Sequence, residues 1–191
     1  LQEQRQALFF RLQDDSASAC AQLSACLTLA EQWAGVSQEP AAVPCMEESV
    51  LSFLRSCEVL TSDWKQMLEQ AANAPEPENL LAYTPALDQE IRLFTMDMLY
   101  RYYLRAAYAE TPEAEILPLQ MAAFSVCVVL LYSRRLGFHT AEQRLRIWQL
   151  FVKEIEYDEN NLEELEWQLE TNAAFSPAAF RAYFASPGGV Q

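Results

Sequence analysis

Apolar residues recur at intervals of three and four along almost the whole chain, which is the period of an amphipathic α-helix. Near the start, for example, Leu8, Phe9 and Leu12 fall on one helical stripe. Alternating apolar and polar runs rich in Val, Ile and Thr are hard to find, and no Asn-Gly or Asp-Gly hairpin turn occurs. We therefore predict an all-α fold, an irregular bundle of seven to eight helices around a central apolar helix.

The central helix is predicted between Thr111 and Leu136. Thr111 would be its N-cap and Pro112 its first helical residue. The middle of this stretch is apolar on nearly all sides, which is typical of a helix that is buried all round. Its longest apolar run, 121–132, has 12 residues, whereas a membrane span needs about 20. We expect a buried helix and no membrane contact.

Several helix ends can be read from capping residues. Gly35 and Gly137, the only glycines outside the last four residues, are predicted to end helices. Thr140 and Gln143 have the spacing of a capping box. Other helices are predicted over 46–60 and 86–109. The other predicted N-caps are Ser16, Ser62, Asp158 or Asn160, and Ser176.

The segment 73–85 holds three prolines and few helix formers, so it is the best candidate for a linker. We predict an N-terminal helical layer over 1–72, a Pro-containing linker over 73–85, a C-terminal helical bundle over 86–185 and a tail over 186–191. One compact domain overall is expected, since a chain of this size can hide about 70% of its unfolded surface.

Composition narrows the function classes. The chain carries 27 acidic and 13 basic residues, a net charge of -14, and seven of the basic residues lie between 92 and 146. That middle segment has five acids of its own, so it would make a poor nucleic-acid footprint, and we expect no nucleic-acid ligand. The scarcity of glycine excludes a phosphate loop or a dinucleotide fingerprint. A hydrophobic content of 51% excludes a disordered acidic protein.

The five cysteines are odd in number and none are spaced as C-x-x-C, which favours reduced, partly buried thiols in a cytoplasmic protein. The single histidine, His139, has no second ligand at metal-binding spacing, so we predict no metal site and a solvated loop position. Because the sequence starts at Leu1, with neither a signal peptide nor an initiator Met, we expect a fragment of a longer protein.

The segment from Tyr100 to Arg105 is the densest polar and aromatic patch of the sequence. Asp97, Arg101 and Arg105 are four residues apart and would share one helical face as a ladder of ion pairs. Two interpretations remain open, a structural role and a contact with a ligand or partner. The residues expected to face the core are Met96, Leu99, Tyr100, Tyr103 and Ala107.

The second candidate patch lies between 153 and 163. Glu154 lines up with Ile147 and Phe151 and should turn toward the apolar side, whereas Glu156 should be solvated. A half-buried carboxylate needs a partner, and we predict a contact between Glu154 and Arg101. Carboxylates near a cleft could steer the ammonium group of a lysine substrate; the alternative is a solvated acidic helix end.

These two patches resemble the C-terminal half of the flagellin lysine N-methylase family. Residues 99–104 are similar to its Tyr-Arg-Tyr-Phe element, with Tyr103 in place of the phenylalanine. Residues 151–163 are similar to its element reading roughly K/R-E-I-E-H/Y-S-x-E-N-L, and the opening stretch 5–29 resembles the segment after its cysteine-rich half. Asn160 stands one place early, in an Asn-Asn pair. The matching positions, with no role assigned, are Tyr100, Arg101, Tyr102, Glu154, Glu156, Tyr157 and Asn160.

The resemblance implies a bacterial cytoplasmic protein whose full-length form transfers methyl groups from S-adenosylmethionine to lysines of flagellin or another lysine-bearing protein. It also implies an upstream cysteine-rich half that holds an iron–sulfur cluster. That cysteine cluster is not in this sequence. We therefore expect the chain alone to be inactive and without a cofactor, and to serve as the structural or substrate-docking half.

Two other function classes stay open. A non-enzymatic helical adaptor could bind a protein partner through an apolar and aromatic surface, and the candidate stripe is Phe175, Phe180, Tyr183 and Phe184. A self-contained enzyme would need a pocket of convergent polar groups, which the sequence does not reveal.

Overall fold

The computed structural model describes residues 2–36, 45–75 and 81–185, and within these ranges the chain forms nine α-helices and no strand. The all-α prediction is confirmed. The helices are α1 (Gln2–Gln13), α2 (Ala19–Ala34), α3 (Met46–Ser56), α4 (Ser62–Asn73), α5 (Pro85–Tyr102), α6 (Leu117–Leu136), α7 (Ala141–Phe151), α8 (Glu159–Thr171) and α9 (Pro177–Ala185). The predicted tail 186–191 and residues 76–80 of the predicted linker lie outside the described ranges.

Four shorter turns complete the chain path. Three are 3₁₀ helices, over Tyr103–Tyr108, Glu113–Glu115 and Ala173–Phe175. The fourth is a π-helical turn over Val152–Glu156, which continues α7 directly. A π-turn accommodates one more residue than an α-turn, and this affects the position of every side chain that follows it.

Helix α6 is the central helix, as the sequence predicts. Every residue from Pro118 to Ser133 is buried, and the helix packs against α2, α3, α4, α5, α7, α8 and α9. In the described ranges it is the one helix long and apolar enough to cross a membrane, but 89% of its most apolar window is buried inside the fold. The core helix of a soluble protein has the same properties.

Aromatic rings join α6 to its neighbours. The Phe124 ring meets Phe53 edge-on at 5.4 Å and Phe175 at 5.2 Å, and it lies 6.2 Å from Phe151. Phe175 also stacks on Phe180. The sequence prediction of an aromatic docking stripe is therefore wrong for this site. Phe175, Phe180 and Phe184 are buried and Tyr183 packs partly buried against the same core. Helix α9 packs on α2 and α6, and the 3₁₀ helix that holds Phe175 packs on α3.

Most predicted caps are confirmed. Gly35 and Gly137 end their helices with φ of 69° and 65°, in the left-handed region that glycine adopts without strain. The Thr140–Gln143 capping box is present. Asp158 accepts from the backbone N–H of Asn161 at 2.8 Å, and Ser176 accepts from Ala179. The caps of α2 and α4 differ from the prediction, since they are Ser18 and Thr61.

The predicted start of α6 at Thr111 is wrong. Thr111 instead accepts a hydrogen bond from Ala114 at the short 3₁₀ helix, and α6 begins at Leu117. Pro118 explains the difference, because proline lacks the N–H that an interior helical position needs and is tolerated only in the first turn. The helix predicted over 86–109 likewise ends at Tyr102 and continues as the 3₁₀ helix.

Ion pairs tie the arginine-bearing middle segment to acids on both sides of it in the sequence. Two arginines pair with acids of the C-terminal third, and five pair with acids of the N-terminal half. The first group is Arg101–Glu156 and Arg105–Glu166; the second is Arg92–Asp88, Arg134–Glu47, Arg135–Glu47, Arg144–Glu90 and Arg146–Asp63.

Candidate functional site

The two sequence patches that carry the family resemblance meet at Glu156. Its carboxylate accepts a hydrogen bond from the Tyr102 hydroxyl at 2.6 Å and forms an ion pair with Arg101. Arg101 also pairs with Asp97, at 2.6 Å. The side chain of Glu156 is 1% exposed and that of Arg101 is 29% exposed. We call Asp97, Arg101, Tyr102 and Glu156 the Glu156 cluster.

The electrostatics of this cluster are set by burial. Desolvation raises the pKa of Glu156 above the ordinary glutamate value, although the hydrogen bonds from Tyr102 and Arg101 act in the opposite direction. Burial also raises the pKa of Tyr102, and the neighbouring carboxylate raises it further. The Tyr102 hydroxyl therefore remains a hydrogen-bond donor at neutral pH.

Glu154 turns to the apolar side, as predicted, and is fully rather than half buried. Its partner differs from the prediction. The predicted contact with Arg101 is wrong. Glu154 accepts hydrogen bonds from the backbone N–H of Leu60 at 2.7 Å and of Thr61 at 3.3 Å, and from the Thr61 hydroxyl. These donors lie in the extended link between α3 and α4, so Glu154 supplies the acceptors that this backbone lacks.

The prediction that Glu156 is solvated is also wrong, because the backbone at this point is a π-turn and not a regular helix. A regular helix would turn Glu154 and Glu156 to faces about 200° apart. The π-turn over Val152–Glu156 inserts an extra residue at this point. It buries Glu154, Ile155 and Glu156 together, with one carboxylate directed toward α4 and the other toward α5.

Asn161, rather than Asn160, is the buried member of the asparagine pair. Its side chain donates to the carbonyls of Glu58 and Glu154, both at 2.8 Å, and accepts from the Glu58 N–H at 2.8 Å. Asn160 is exposed. Asn161 thus joins the α3–α4 link to the π-turn, and with Glu154 and Thr61 it forms what we call the Glu154 cluster.

The remaining motif positions lie at the surface. Tyr157 is exposed. Tyr100 is also exposed, and the guanidinium of Arg5 lies over its ring at 5.5 Å. The prediction that Tyr100 faces the core is therefore wrong. Ala107 is exposed too, because the change from α-helix to 3₁₀ helix at Tyr103 alters the rotation per residue.

The predicted ion-pair ladder forms in its first step only. Asp97 pairs with Arg101, whereas Arg105 pairs with Glu166 of α8. The Arg105 guanidinium also lies 5.4 Å from the centre of the Tyr102 ring. Arg105 therefore contacts both Tyr102 of the Glu156 cluster and Glu166, which lines a neighbouring cleft.

The neighbouring cleft has a volume of about 560 Å³. It lies between the 3₁₀ helix Tyr103–Tyr108, the first turns of α6 and the second half of α8, and Arg105 stands in its wall. Leu117, Pro118 and Met121 also line it, with Tyr108 near its edge. We call it the Arg105 cleft. No feature of the sequence indicates this cleft, because it depends on how α6 and α8 pack.

Sequence reasoning missed three polar participants, Thr61, Asn161 and Glu166. Asn161 was one residue from the position that the resemblance indicated. Thr61 precedes the Ser62 that was predicted as the cap of α4, so a preference for the earlier hydroxyl would have found it. Glu166 carries no signal in sequence, since it is one of several acids along α8.

Metal ligands and thiols are the remaining candidates for chemistry among the described residues. Within 2–36, 45–75 and 81–185, no group of three or more His, Cys, Asp or Glu side chains is placed to hold a metal ion. All five cysteines are free, and burial raises the pKa of Cys20, Cys26 and Cys57 to about 12. His139 is exposed in its loop.

Comparison of the chain with protein-family models, curated proteins and solved structures gives no significant match.

Proposed function

We propose that the chain is the helical C-terminal domain of a flagellin lysine N-methylase-like protein, in which it serves as the structural or substrate-docking half. The observation that carries the proposal is the meeting of the two motif elements. Arg101 and Tyr102 from one element both bond the carboxylate of Glu156 from the other. The two elements lie some fifty residues apart in the sequence, and the fold brings them into contact through these side chains. Such a contact is expected if the two elements form one functional unit.

The bonding pattern favours a structural role for the motif itself. The carboxylates of Glu154 and Glu156 accept from donors of the chain, and Asn161 uses its amide on two backbone carbonyls. A group acting on a substrate needs a free position toward that substrate. The two clusters instead hold α4, α5 and the π-turn together, and docking falls to a neighbouring surface.

The cofactors implied by the resemblance are consistent with a structural or docking role for this chain and a catalytic role for the cysteine-rich half. The described residues offer no ligand set for an iron–sulfur cluster, so we assign the cluster to the cysteine-rich half. Methyl transfer from S-adenosylmethionine to a lysine would then require both halves. The present chain would position the lysine-bearing protein or stabilise the other half.

A two-part complementation experiment tests this proposal. The chain is co-expressed with the cysteine-rich half of a flagellin lysine N-methylase, and lysine methylation of flagellin is measured by mass spectrometry. We expect methylation only when both halves are present. Arg101→Gln, which breaks the Glu156 cluster, should lower methylation. Arg146→Gln removes an exposed ion pair with Asp63 and should leave methylation unchanged.

Two outcomes would contradict the proposal. Methylation of flagellin by the chain alone would make it a self-contained enzyme, and tight calorimetric binding of S-adenosylmethionine to the chain would point the same way. The absence of methylation with both halves present would also contradict the proposal, provided that circular dichroism shows the chain to be folded.

The adaptor alternative is favoured by one specific observation. Leu93 and Tyr100 of α5, with Leu104 of the following 3₁₀ helix, are all more than half exposed. Exposed apolar side chains at helical spacing are typical of surfaces that bind a partner helix. If the chain supports no methylation in the complementation assay, and Leu93→Ser with Leu104→Ser abolishes binding of a partner, the adaptor hypothesis would be favoured over the methylase hypothesis.

A further inference from the structure

The Arg105 cleft combines an apolar floor with an aromatic edge. Leu117, Pro118 and Met121 form the floor, and the Met121 side chain is almost fully buried beneath it. Tyr108 lies at the edge and is 85% exposed, the largest exposed fraction among the large apolar side chains of the described chain. An aromatic ring held in solvent next to an apolar floor is typical of a protein-binding surface.

The charge around the cleft is mainly negative. Glu110, Glu166 and Glu170 line it together with Arg105. Arg105 is already paired with Glu166. Glu110 and Glu170 are exposed, and neither has an ion-pair partner within the described residues. The cleft therefore presents two carboxylates that are available to a cation from outside the chain.

We infer that the Arg105 cleft binds a basic segment of a partner polypeptide, with an apolar side chain on the floor beside Tyr108 and a lysine or arginine at Glu110 and Glu170. The inference gives a location to the docking role proposed above, and it rests on that role. A buried apolar anchor with charged groups at the rim is the usual anatomy of a protein interface, and complementary charge steers and selects the partner.

The net charge of the chain disfavours nucleic acids and anionic lipid surfaces as ligands of the cleft. The whole chain carries a net charge of -14, so nucleic acids and anionic lipid surfaces are repelled over long distances. A basic polypeptide is attracted by the same field. The floor then discriminates among basic segments, because a segment without an apolar side chain would leave the partly exposed Leu117 in contact with water.

Fluorescence anisotropy with a synthetic probe tests the inference. The probe is a fluorescein-labelled 12-residue peptide of alternating lysine and leucine pairs. Two variants alter the cleft, Glu110→Gln with Glu170→Gln, and Tyr108→Ala; all three side chains are exposed, so the fold should survive. The matched control, Glu69→Gln with Glu142→Gln, makes the same charge change at exposed positions of α4 and α7, away from the cleft.

We expect each cleft variant to weaken binding of the peptide about fivefold. The control variant should stay within about twofold of the unaltered chain, because screening reduces the influence of distant exposed charges. A second probe, in which serine replaces every leucine, should bind more weakly than the first. No binding of the lysine-leucine peptide, an equal loss in the control variant, or equal binding of the serine probe would each overturn the inference.

A parallel measurement with purified flagellin separates this inference from the proposed function. Flagellin binding that the cleft variants leave unchanged would overturn the cleft as the docking site while the methylase proposal stands. Peptide binding that the cleft variants weaken, together with no binding of flagellin, would support the cleft and contradict flagellin as the partner.

Discussion

Glu154 and Glu156 are two residues apart, yet both carboxylates are buried and each has its own set of donors. Glu154 accepts from two backbone N–H groups and a hydroxyl. Glu156 accepts from Tyr102 and Arg101. A buried carboxylate is tolerable only when it is bonded in this way. The two differ in one respect, since the Arg101 side of Glu156 reaches solvent.

The raised pKa of Glu156 gives a pH-dependent prediction. A carboxyl group whose pKa is higher in the fold than in the unfolded chain stabilises the fold most at low pH, and that contribution is lost as pH rises through the folded pKa. Glutamine resembles the protonated form at every pH. The free energy of unfolding of the unaltered chain should therefore fall relative to that of Glu156→Gln as pH rises from about 4, the ordinary glutamate pKa, toward neutrality.

Urea unfolding of both proteins across this range measures the difference. Glu69→Gln, the same substitution at an exposed position, accounts for the general loss of one carboxyl group. A difference that runs in the opposite direction, with the unaltered chain gaining stability relative to Glu156→Gln as pH rises, would show that the ion pair with Arg101 outweighs desolvation.

At the scale of elements, the extended link between α3 and α4 is held by side chains from a distant part of the chain. Helix α3 ends at Ser56, four residues before the sequence predicts. The backbone that follows has no helical or strand partner in the described structure, and Asn161 and Glu154 bond it at Glu58, Leu60 and Thr61. Thr61 also caps α4 by accepting from Trp64.

The double role of Thr61 can be tested by comparison with Thr84, which caps α5 by accepting from Leu87 and is exposed. Thr84→Ala removes a cap alone and should cost about 1 kcal/mol of unfolding free energy. Thr61→Ala removes a cap and also a hydrogen bond to a buried carboxylate, so it should cost about 2–3 kcal/mol. Chemical denaturation measures both. Equal losses would mean that the Thr61 hydroxyl adds nothing to Glu154.

The same elements show which parts of the structure the sequence could predict. The helical period and the short-range caps depend on neighbouring residues, so the Gly35 and Gly137 ends and the Thr140 capping box were predictable. The burial of Glu156 was not predictable. Its exposure was predicted from the regular helical period, and the π-turn interrupts that period. The exposure of the aromatic stripe formed by Phe175 and the aromatic residues of α9 was predicted wrongly for a different reason. The helical period shows that a stripe is apolar, but not whether another helix covers it.

At the scale of the whole molecule, the buried apolar residues form a continuous cluster that includes members of every helix from α1 to α9. Phe124 of α6 lies where α3, α7 and the 3₁₀ helix before α9 meet. The predicted division into an N-terminal layer and a C-terminal bundle remains a prediction. Packing of both parts on one central helix leads us to expect that they unfold together.

Phe124→Ala should lower the free energy of unfolding by about 3–5 kcal/mol, because it removes a buried ring and leaves a cavity where several elements meet. Phe10→Ala, at a largely exposed position of α1, should change it by less than about 0.5 kcal/mol. Tryptophan fluorescence and circular dichroism, recorded through the same urea titration, should give coincident transitions for the unaltered chain. Two separated transitions would instead support independent N-terminal and C-terminal units.

The π-turn at Val152–Glu156 also constrains how this region can vary in length. Removing one residue from the turn would let α7 continue as a regular helix. In a regular helix Glu154 and Glu156 would lie on faces about 200° apart, so only one of them could stay buried. The shortened chain could then satisfy the α3–α4 link or Arg101, but not both at once. The extra residue is therefore what allows two helices on different sides of the fold to be anchored from a single turn of backbone.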